Sequence, residues 1–301
     1  IIVGMSGAGK STLLRTINNL VKPTEGEVIV NSKNVTKASK KELKAIRSDI
    51  GMIFQTFNLV NRSSVLKNVL TGRLSQVSTL RSIFGLWPKE DKEIAFESLN
   101  KVEILEKAYV RGSNLSGGQQ QRVGIARALY RNANIIILDE PTIGLDPHQI
   151  QGIRTLIDSL RGTHTVLISS HILSEIEKSC DRVIILNNGR LVAMGTKSEL
   201  RESFIPENQL SITIKGDSNE LIHSFESAQL KLELADTIDV EDGIQELRFN
   251  RTSKTQDMNP ILKASNSLNN CQILGINFIK PDLESIFLAA TKRSWEDVRS
   301  K

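Results

Sequence analysis

The chain has 301 residues, 39% of them hydrophobic and 24% charged, with 19 Gly, 7 Pro and 2 Cys. That composition excludes collagen-like, coiled-coil and largely disordered chains, and at this length single cores stop growing, so one large domain and one smaller one are expected. The formal net charge of +5 is diffuse rather than gathered into a stripe, which argues against a nucleic-acid partner.

The first apolar run is Ile1-Ile2-Val3, a short strand. The chain opens inside it without an initiator Met, so an N-terminal truncation is expected. Gly4-Met5-Ser6-Gly7-Ala8-Gly9-Lys10-Ser11 follows at once and satisfies the Gly-x-x-x-x-Gly-Lys-Ser pattern. A helix comes next, with Leu13, Leu14, Ile17 and Leu20 on one face. This strand–loop–helix context is what the pattern requires. The glycines let backbone N–H groups wrap a phosphate chain at a helix N-terminus, where the macrodipole also favours an anion. Lys10 then reaches the β- and γ-phosphates, and Ser11 places its hydroxyl on Mg²⁺. The phosphate-binding set is Gly4, Met5, Ser6, Gly7, Ala8, Gly9, Lys10, Ser11 and Thr12.

Lys33, Lys37, Lys40, Lys41, Lys44 and Arg47 form one dense basic cluster, broken by Glu42 and Asp49, that reads as a solvated helix face, with a partner or membrane-surface patch as the alternative. A strand over 50–54 leads to Gln55. The stretch 63–110 carries Leu66, Val69 and Leu70, then Ala95, Leu99 and Val102, and reads as a helical insertion. Leu115-Ser116-Gly117-Gly118-Gln119 opens a helix bearing Arg122, Ile125, Ala126 and Leu129. Ser116 is a good N-cap there, and the paired glycines allow close backbone approach to an anion.

The apolar strand over 135–138 ends in Asp139-Glu140. Successive strand side chains point to opposite faces, so the two acids have different tasks. Asp139 is placed to hold Mg²⁺ through its water shell, and Glu140 to orient and polarise an attacking water as general base. Two further strands, over 165–170 and 183–186, bracket His171. These strands are continuous rather than alternating in hydrophobicity, which indicates a sheet covered on both faces and a mostly parallel α/β core.

Near 204 the pattern breaks at Pro206 and Asn208. The expectation is an α/β domain over 1–204, with a helical subdomain at about 60–133, and a small α+β domain over 205–301. In the latter, strand 210–214, helix 220–228, strands 237–240 and 244–249 about Asp242-Gly243, helix 258–268, strand 272–279 and a closing helix 283–291 follow in order. That β-α-β-β-α-β order suggests a ferredoxin-like unit. Cys180 and Cys271 read as buried small hydrophobes with no disulfide partner.

The phosphate loop, Gln55 in Met-Ile-Phe-Gln, Leu-Ser-Gly-Gly-Gln at 115–119, Asp-Glu-Pro-Thr at 139–142, Gly144-Leu145-Asp146 and His171 occur in one order. Together they resemble the ATP-binding-cassette (ABC) family over residues 1 to about 204. The resemblance implies a P-loop NTPase (RecA-like) core that uses ATP and Mg²⁺. It further implies head-to-tail pairing, with ATP between one subunit's Lys10 and the other's Ser116, Gly117, Gly118 and Gln119. It carries over Glu140, His171 and Gln55 as the catalytic set, His171 on the γ-phosphate and Gln55 on Mg²⁺, the water and the membrane partner. The metal set is then Ser11, Gln55 and Asp139. Asp146 matches the dimer-contact loop, and an N-cap ahead of Pro147 explains it equally well. The family's adenine-stacking aromatic lies upstream of the phosphate loop. None of the nine residues before Lys10 is aromatic, as a truncation would produce.

Residues 57–73 and 82–91 resemble the ATPase subunit of phosphonate importers, whereas 142–150, 170–176 and 180–186 resemble export-type cassettes, including those of gliding motility. Residues 281–288 fit the accessory domain that follows such export cassettes, so a chimeric chain is one expectation. The family resemblance implies an ATP-hydrolysing subunit, peripheral on the cytoplasmic face of the cell membrane, that pairs as a homodimer. It energises separate transmembrane permease subunits, for phosphonate-type import or for export of drug, polysaccharide or gliding type. The alternative is a soluble non-transport ABC ATPase. Such proteins of DNA repair carry a long coiled coil between Lys10 and Ser116, and the interval here holds only a helical subdomain.

Overall fold

The computed structural model describes residues 1–74, 87–173, 180–205, 208–241, 243–251, 258–265, 268, 270–279 and 282–299. Parts of the resemblance (82–86, 174–176 and Pro281), together with Pro206 and Asp242, lie outside the described residues.

The chain divides into two units, Ile1–Met194 and Gly195–Lys301. This division lies upstream of the expected break at 204, because the helix Lys197–Phe204 packs on the closing helix Leu283–Arg299 of the second unit.

In the first unit β1 (Ile2–Val3) runs through the phosphate loop into α1 (Lys10–Ile17). A small antiparallel ribbon, β2 (Ile29–Val30) with β3 (Lys33–Asn34), precedes α2 (Lys40–Ser48) and β4 (Ile50–Ile53). The helical insertion contributes α3 (Val65–Leu70) and α4 (Lys89–Lys101), and α5 (Gly117–Tyr130) follows. Then come β5 (Ile135–Asp139), α6 (Pro147–Ser159), β6 (Thr165–Ser170), β7 (Val183–Asn187) and β8 (Arg190–Gly195). Asn188 and Gly189, both at positive φ, turn β7 back into β8.

The six strands form one sheet in the order β4-β5-β6-β1-β7-β8, and β4–β5, β5–β6, β6–β1 and β1–β7 are all parallel. Its residues are apolar on both faces because both faces are covered. Ile137 packs with Ile2, Leu14, Ile46 and Leu186 on one side. Its neighbours Ile136 and Leu138 pack on the other with Leu70, Leu99, Ile125 and Ile157. Burying each such side chain stabilises by about 1.5–3 kcal/mol. The positions expected to face inward from the insertion, Leu66, Val69, Leu70, Ala95, Leu99 and Val102, are all buried. Leu20 is an exception, and Leu13 of the same expected face is exposed as well. Helix α1 stops at Ile17, Asn19 enters the left-handed region at φ 55°, and Leu20 is left half exposed.

The second unit contains α7 (Lys197–Phe204), β9 (Asn208–Gly216), α8 (Ser218–Ser227), β10 (Leu232–Glu241), β11 (Ile244–Arg251), α9 (Asn259–Ser265), β12 (Cys271–Ile279) and α10 (Leu283–Arg299). Its four strands pair antiparallel in the order β10-β11-β9-β12. Leu210, Ile212 and Ile214 alternate along β9 and bury against Leu221, Phe225 and Ile261, with the Phe225 and Phe249 rings 5.6 Å apart edge to face. Cys180 and Cys271 are both buried. Among the described residues no helix is long and apolar enough to cross a membrane.

Candidate functional site

Four parallel strands end at one rim of the sheet. β1 delivers Gly4, β4 delivers Gln55, β5 delivers Asp139 and Glu140, and β6 delivers His171. In open parallel sheets this C-terminal rim is where ligands bind.

The loop between β1 and α1 turns on Gly7 and Gly9, at φ 80° and 94°, a region that a side chain strains to enter. Gly9 is the N-cap of α1, and no side chain bonds the first-turn amides. Those N–H groups have no acceptor within the helix either, so they face outward as a ready anion cradle. By contrast α2, α5 and α7 close their own first turns with Ser39, Ser116 and Thr196. A cavity of about 320 Å³ opens over the loop, lined by Ser6 to Thr12, Gln55, Glu140, Ile143 and His171.

Beneath the cradle Lys10 is 6% exposed. Its Nζ donates to the Gly4 carbonyl at 2.8 Å and the Met5 carbonyl at 3.2 Å, and lies 3.0 Å from Glu140 Oε1. The other oxygen of Glu140 is 2.6 Å from His171 Nδ1. Burial of these charges is sustained because each has a partner. Glu140 takes a left-handed φ of 52°, which turns its side chain off the strand line and into the cavity wall.

Asp139, 2% exposed, receives the Ser11 hydroxyl and the Ser169 hydroxyl on the same oxygen, Oδ1, each at 2.8 Å. Ser169 also accepts the Glu140 backbone N–H at 2.9 Å. Nothing in the sequence motifs marks Ser169. The available signal is weak: a hydroxyl residue closing an apolar strand, whose register opposite Asp139 appears only once β5 and β6 are paired.

One hydroxyl and one carboxylate offer hard oxygens of the kind that suit Mg²⁺, which keeps several of its waters and needs few protein ligands. The residues present therefore fit both a phosphate chain and Mg²⁺. Among the described residues no group of three or more His, Cys, Asp or Glu could hold a metal by itself.

Ser116, Gly117, Gly118 and Gln119 do not line this cavity. They form the start of α5, where Ser116 and Gln119 cap one another: the Ser116 N–H donates to Gln119 Oε1 at 3.0 Å and the Gln119 N–H to Ser116 Oγ at 3.4 Å. The glycines here have a local packing reason. A Cβ on Gly117 would stand 2.9 Å from Leu145 Cδ2, and one on Gly118 2.9 Å from Gln149 Oε1. Asp146 caps α6, accepting the Gln149 N–H at 2.8 Å ahead of Pro147.

The loop after Gln55 is tied to α5. Arg127 donates from Nη1 to the Asn58 carbonyl at 3.0 Å and from Nη2 to the Phe57 carbonyl at 3.3 Å. Both acceptor residues have left-handed backbone, φ 57° and 47°. Burial, and then the Arg131 charge, pull the Arg127 pKa below its ordinary value. A cleft of about 400 Å³ beside this tie is lined by Arg47, Phe54, Thr71, Gly72, Arg127 and Arg131, among others.

The family model described as "ABC transporter" matches residues 1–143. The phosphonates import ATP-binding protein PhnC of Bacillus thuringiensis is 48% identical over 212 residues, which are 69% of this chain and 81% of that protein. The protein of the same name from Lactobacillus johnsonii is 47% identical over 205 residues, 67% of this chain and 81% of its own. Among solved structures, the dimeric post-hydrolysis state of an ATP-binding cassette bound to ADP and Pi is 36% identical. It has a TM-score of 0.56 and covers 65% of this chain and 83% of its own.

Proposed function

Because this chain belongs to the ABC transporter ATP-binding family, we propose that it hydrolyses ATP to energise the import of a phosphonate-class compound through separate membrane subunits. The observation that carries the hydrolytic part is the convergence of Lys10, Glu140 and His171 on one cavity beneath a cradle of uncapped amides. The import part rests on the relatives, whose names specify phosphonate import.

In this reading the amides of Gly7 and of Gly9 to Thr12 bind the phosphate chain and Lys10 leaves Glu140 for the β- and γ-oxygens. Ser11, Asp139 and Gln55 would hold Mg²⁺, which would screen negative charge on the phosphoryl oxygens. Glu140, freed from Lys10, accepts a proton from the attacking water, and His171 keeps the carboxylate oriented through Nδ1 while Nε2 serves the γ-phosphate. Ser116, Gly117, Gly118 and Gln119 act on the nucleotide of a second copy. That this cavity is lined by other residues is consistent with a site completed in trans.

The second unit is read as ferredoxin-like, supported by its element order and antiparallel strand order. The arginine-lined cleft beside Gln55 supports docking of the membrane partner there, with the cassette peripheral on the cytoplasmic face. Purified protein should hydrolyse ATP only with Mg²⁺. Vesicles holding the protein with its membrane subunits should take up a labelled alkylphosphonate when ATP is supplied on the cassette side. Hydrolysis without uptake of any phosphonate would overturn the import reading and leave the ATPase standing. Absence of Mg²⁺-dependent hydrolysis would overturn both.

A further inference from the structure

We propose that Ser169 is a positioning residue of the hydrolytic centre, its one hydroxyl setting the direction of both acids at the end of β5. The inference rests on the roles given above to Asp139 and Glu140. Ser169 is fully buried, at 0% exposure, and sits opposite Asp139 in the parallel ladder of β5 and β6.

A hydroxyl has one proton to give and lone pairs to accept with, and both capacities are used here. The proton goes to Asp139 Oδ1 at 2.8 Å. The lone pair takes the Glu140 N–H at 2.9 Å. The first bond fixes which carboxylate oxygen is engaged inside the protein. Ser11 donates to that same Oδ1 at 2.8 Å, and among the described residues no hydrogen bond reaches Oδ2. Two donors on one oxygen pin the carboxylate plane and reserve the other oxygen for a water-shell ligand. The second bond anchors the amide of a residue at φ 52°. Left-handed backbone costs a non-glycine residue about 1–2 kcal/mol, so it persists only where neighbours hold it. The strain is what swings the Glu140 side chain toward Lys10 and His171. Ser169 thus couples the orientation of the metal-side acid to that of the water-side acid, without touching substrate.

The test compares Ser169→Ala, Ser169→Cys and Ser169→Thr with the parent protein. Four quantities are read: ATP affinity with Mg²⁺, ADP affinity in EDTA, kcat and melting temperature. Bonds to charged groups and lost orientation of a general base together predict a fall in kcat of about tenfold to a hundredfold for Ser169→Ala. The gain in nucleotide affinity that Mg²⁺ confers should shrink several-fold, while ADP affinity in EDTA, which reads the amide cradle and Lys10, stays within about twofold. Ser169→Thr keeps the hydroxyl on a strand that favours β-branched residues and should recover most of kcat. Ser169→Cys keeps the shape with a poor hydrogen-bonding group, and it serves if the alanine variant does not fold.

Parent-like kcat and parent-like Mg²⁺ gain in either the alanine or the cysteine variant overturn the proposal. So does a parallel loss of EDTA–ADP affinity and melting temperature, which marks a purely structural role. Glu140→Gln run beside them separates the two readings. If that variant turns over normally the assignment of Glu140 itself fails. If it is inactive while Ser169→Ala is normal, only the Ser169 proposal fails.

Discussion

Lys10 Nζ and Glu140 Oε1 lie 3.0 Å apart with side chains 6% and 10% exposed, so the lysine of the phosphate loop and the proposed general base neutralise one another. In the proposed reading a bound nucleotide draws Lys10 away from Glu140. Removing the lysine alone leaves a buried carboxylate without its counter-charge, a loss of about 3–5 kcal/mol for a buried pair. We expect Lys10→Met to lose both nucleotide binding and stability. The double variant Lys10→Met/Glu140→Gln should recover much of the stability and none of the binding. Urea denaturation and nucleotide titration on the three proteins check both halves, and equal stability of the single and double variants would contradict the pairing.

Glu140→Gln keeps the shape of the side chain and its hydrogen bonding to Lys10 and His171 in part, but cannot accept a proton from water. Turnover should fall by at least about a hundredfold, the scale of a lost general base. ATP affinity and ATP-driven dimerisation should persist, because the amide cradle and Lys10 are untouched. Single-turnover hydrolysis and size-exclusion chromatography in ATP read the two effects separately.

The trans arrangement has its own test. Neither Lys10→Ala nor Ser116→Arg homodimers should hydrolyse ATP, since each carries two damaged sites. A head-to-tail heterodimer of the two variants gathers both lesions in one site and leaves the other intact. Mixing the inactive proteins should therefore restore hydrolysis, and no recovery on mixing would contradict shared sites.

The placement of the candidate site was legible in sequence wherever it is carried by local, contiguous signals. The glycine-rich loop has its strand before and helix after, Asp139-Glu140 closes an apolar strand, and Ser116 opens a helix. Helical periodicity likewise marked Leu66, Val69, Ala95 and Leu99 as core. What sequence did not show depends on register between distant strands or on backbone at positive φ. Ser169 matters because β6 pairs β5 one-to-one at Asp139, a fact with no local signature. Glycines 117 and 118 read as anion-approach residues, and the structure adds a packing reason that the sequence did not show, since Leu145 and Gln149 atoms would lie 2.9 Å from their Cβ atoms. Leu20 fitted the helical pattern of α1, and the left-handed turn at Asn19 removed it. The break at 204 followed composition, whereas the division at 195 follows the packing of α7 on α10.

Arg127 holds the loop after Gln55 by two carbonyls on consecutive left-handed residues. A lysine can supply one such donor at a time and lacks the planar fork, and burial beside Arg131 also disfavours its charge. Arg127→Lys should leave the global melting temperature within a few degrees but loosen the loop, with amide exchange over 55–60 faster by about tenfold or more. Hydrolysis should fall with it, since Gln55 lines the cavity over the phosphate loop. Unchanged exchange at those amides would show that the tie does not hold the loop.

Asp146 had two explanations in sequence, helix cap and dimer contact, and a pair of substitutions separates them. Its carboxylate accepts the Gln149 N–H at 2.8 Å, and Gln149 in turn takes the Gly118 N–H at 3.0 Å, so the cap of α6 also steadies the first turn of α5. Loss of an N-cap side chain costs about 1 kcal/mol, while asparagine caps nearly as well as aspartate. We expect Asp146→Ala to lower monomer stability by that amount without nucleotide, and Asp146→Asn to keep most of it. If the cap is the residue's whole role, Asp146→Asn also dimerises normally in ATP. If dimerisation fails in a variant of full monomer stability, the carboxylate is engaged across the subunit interface as well. Chemical denaturation without nucleotide and sedimentation with ATP, on the same two proteins, decide between these results.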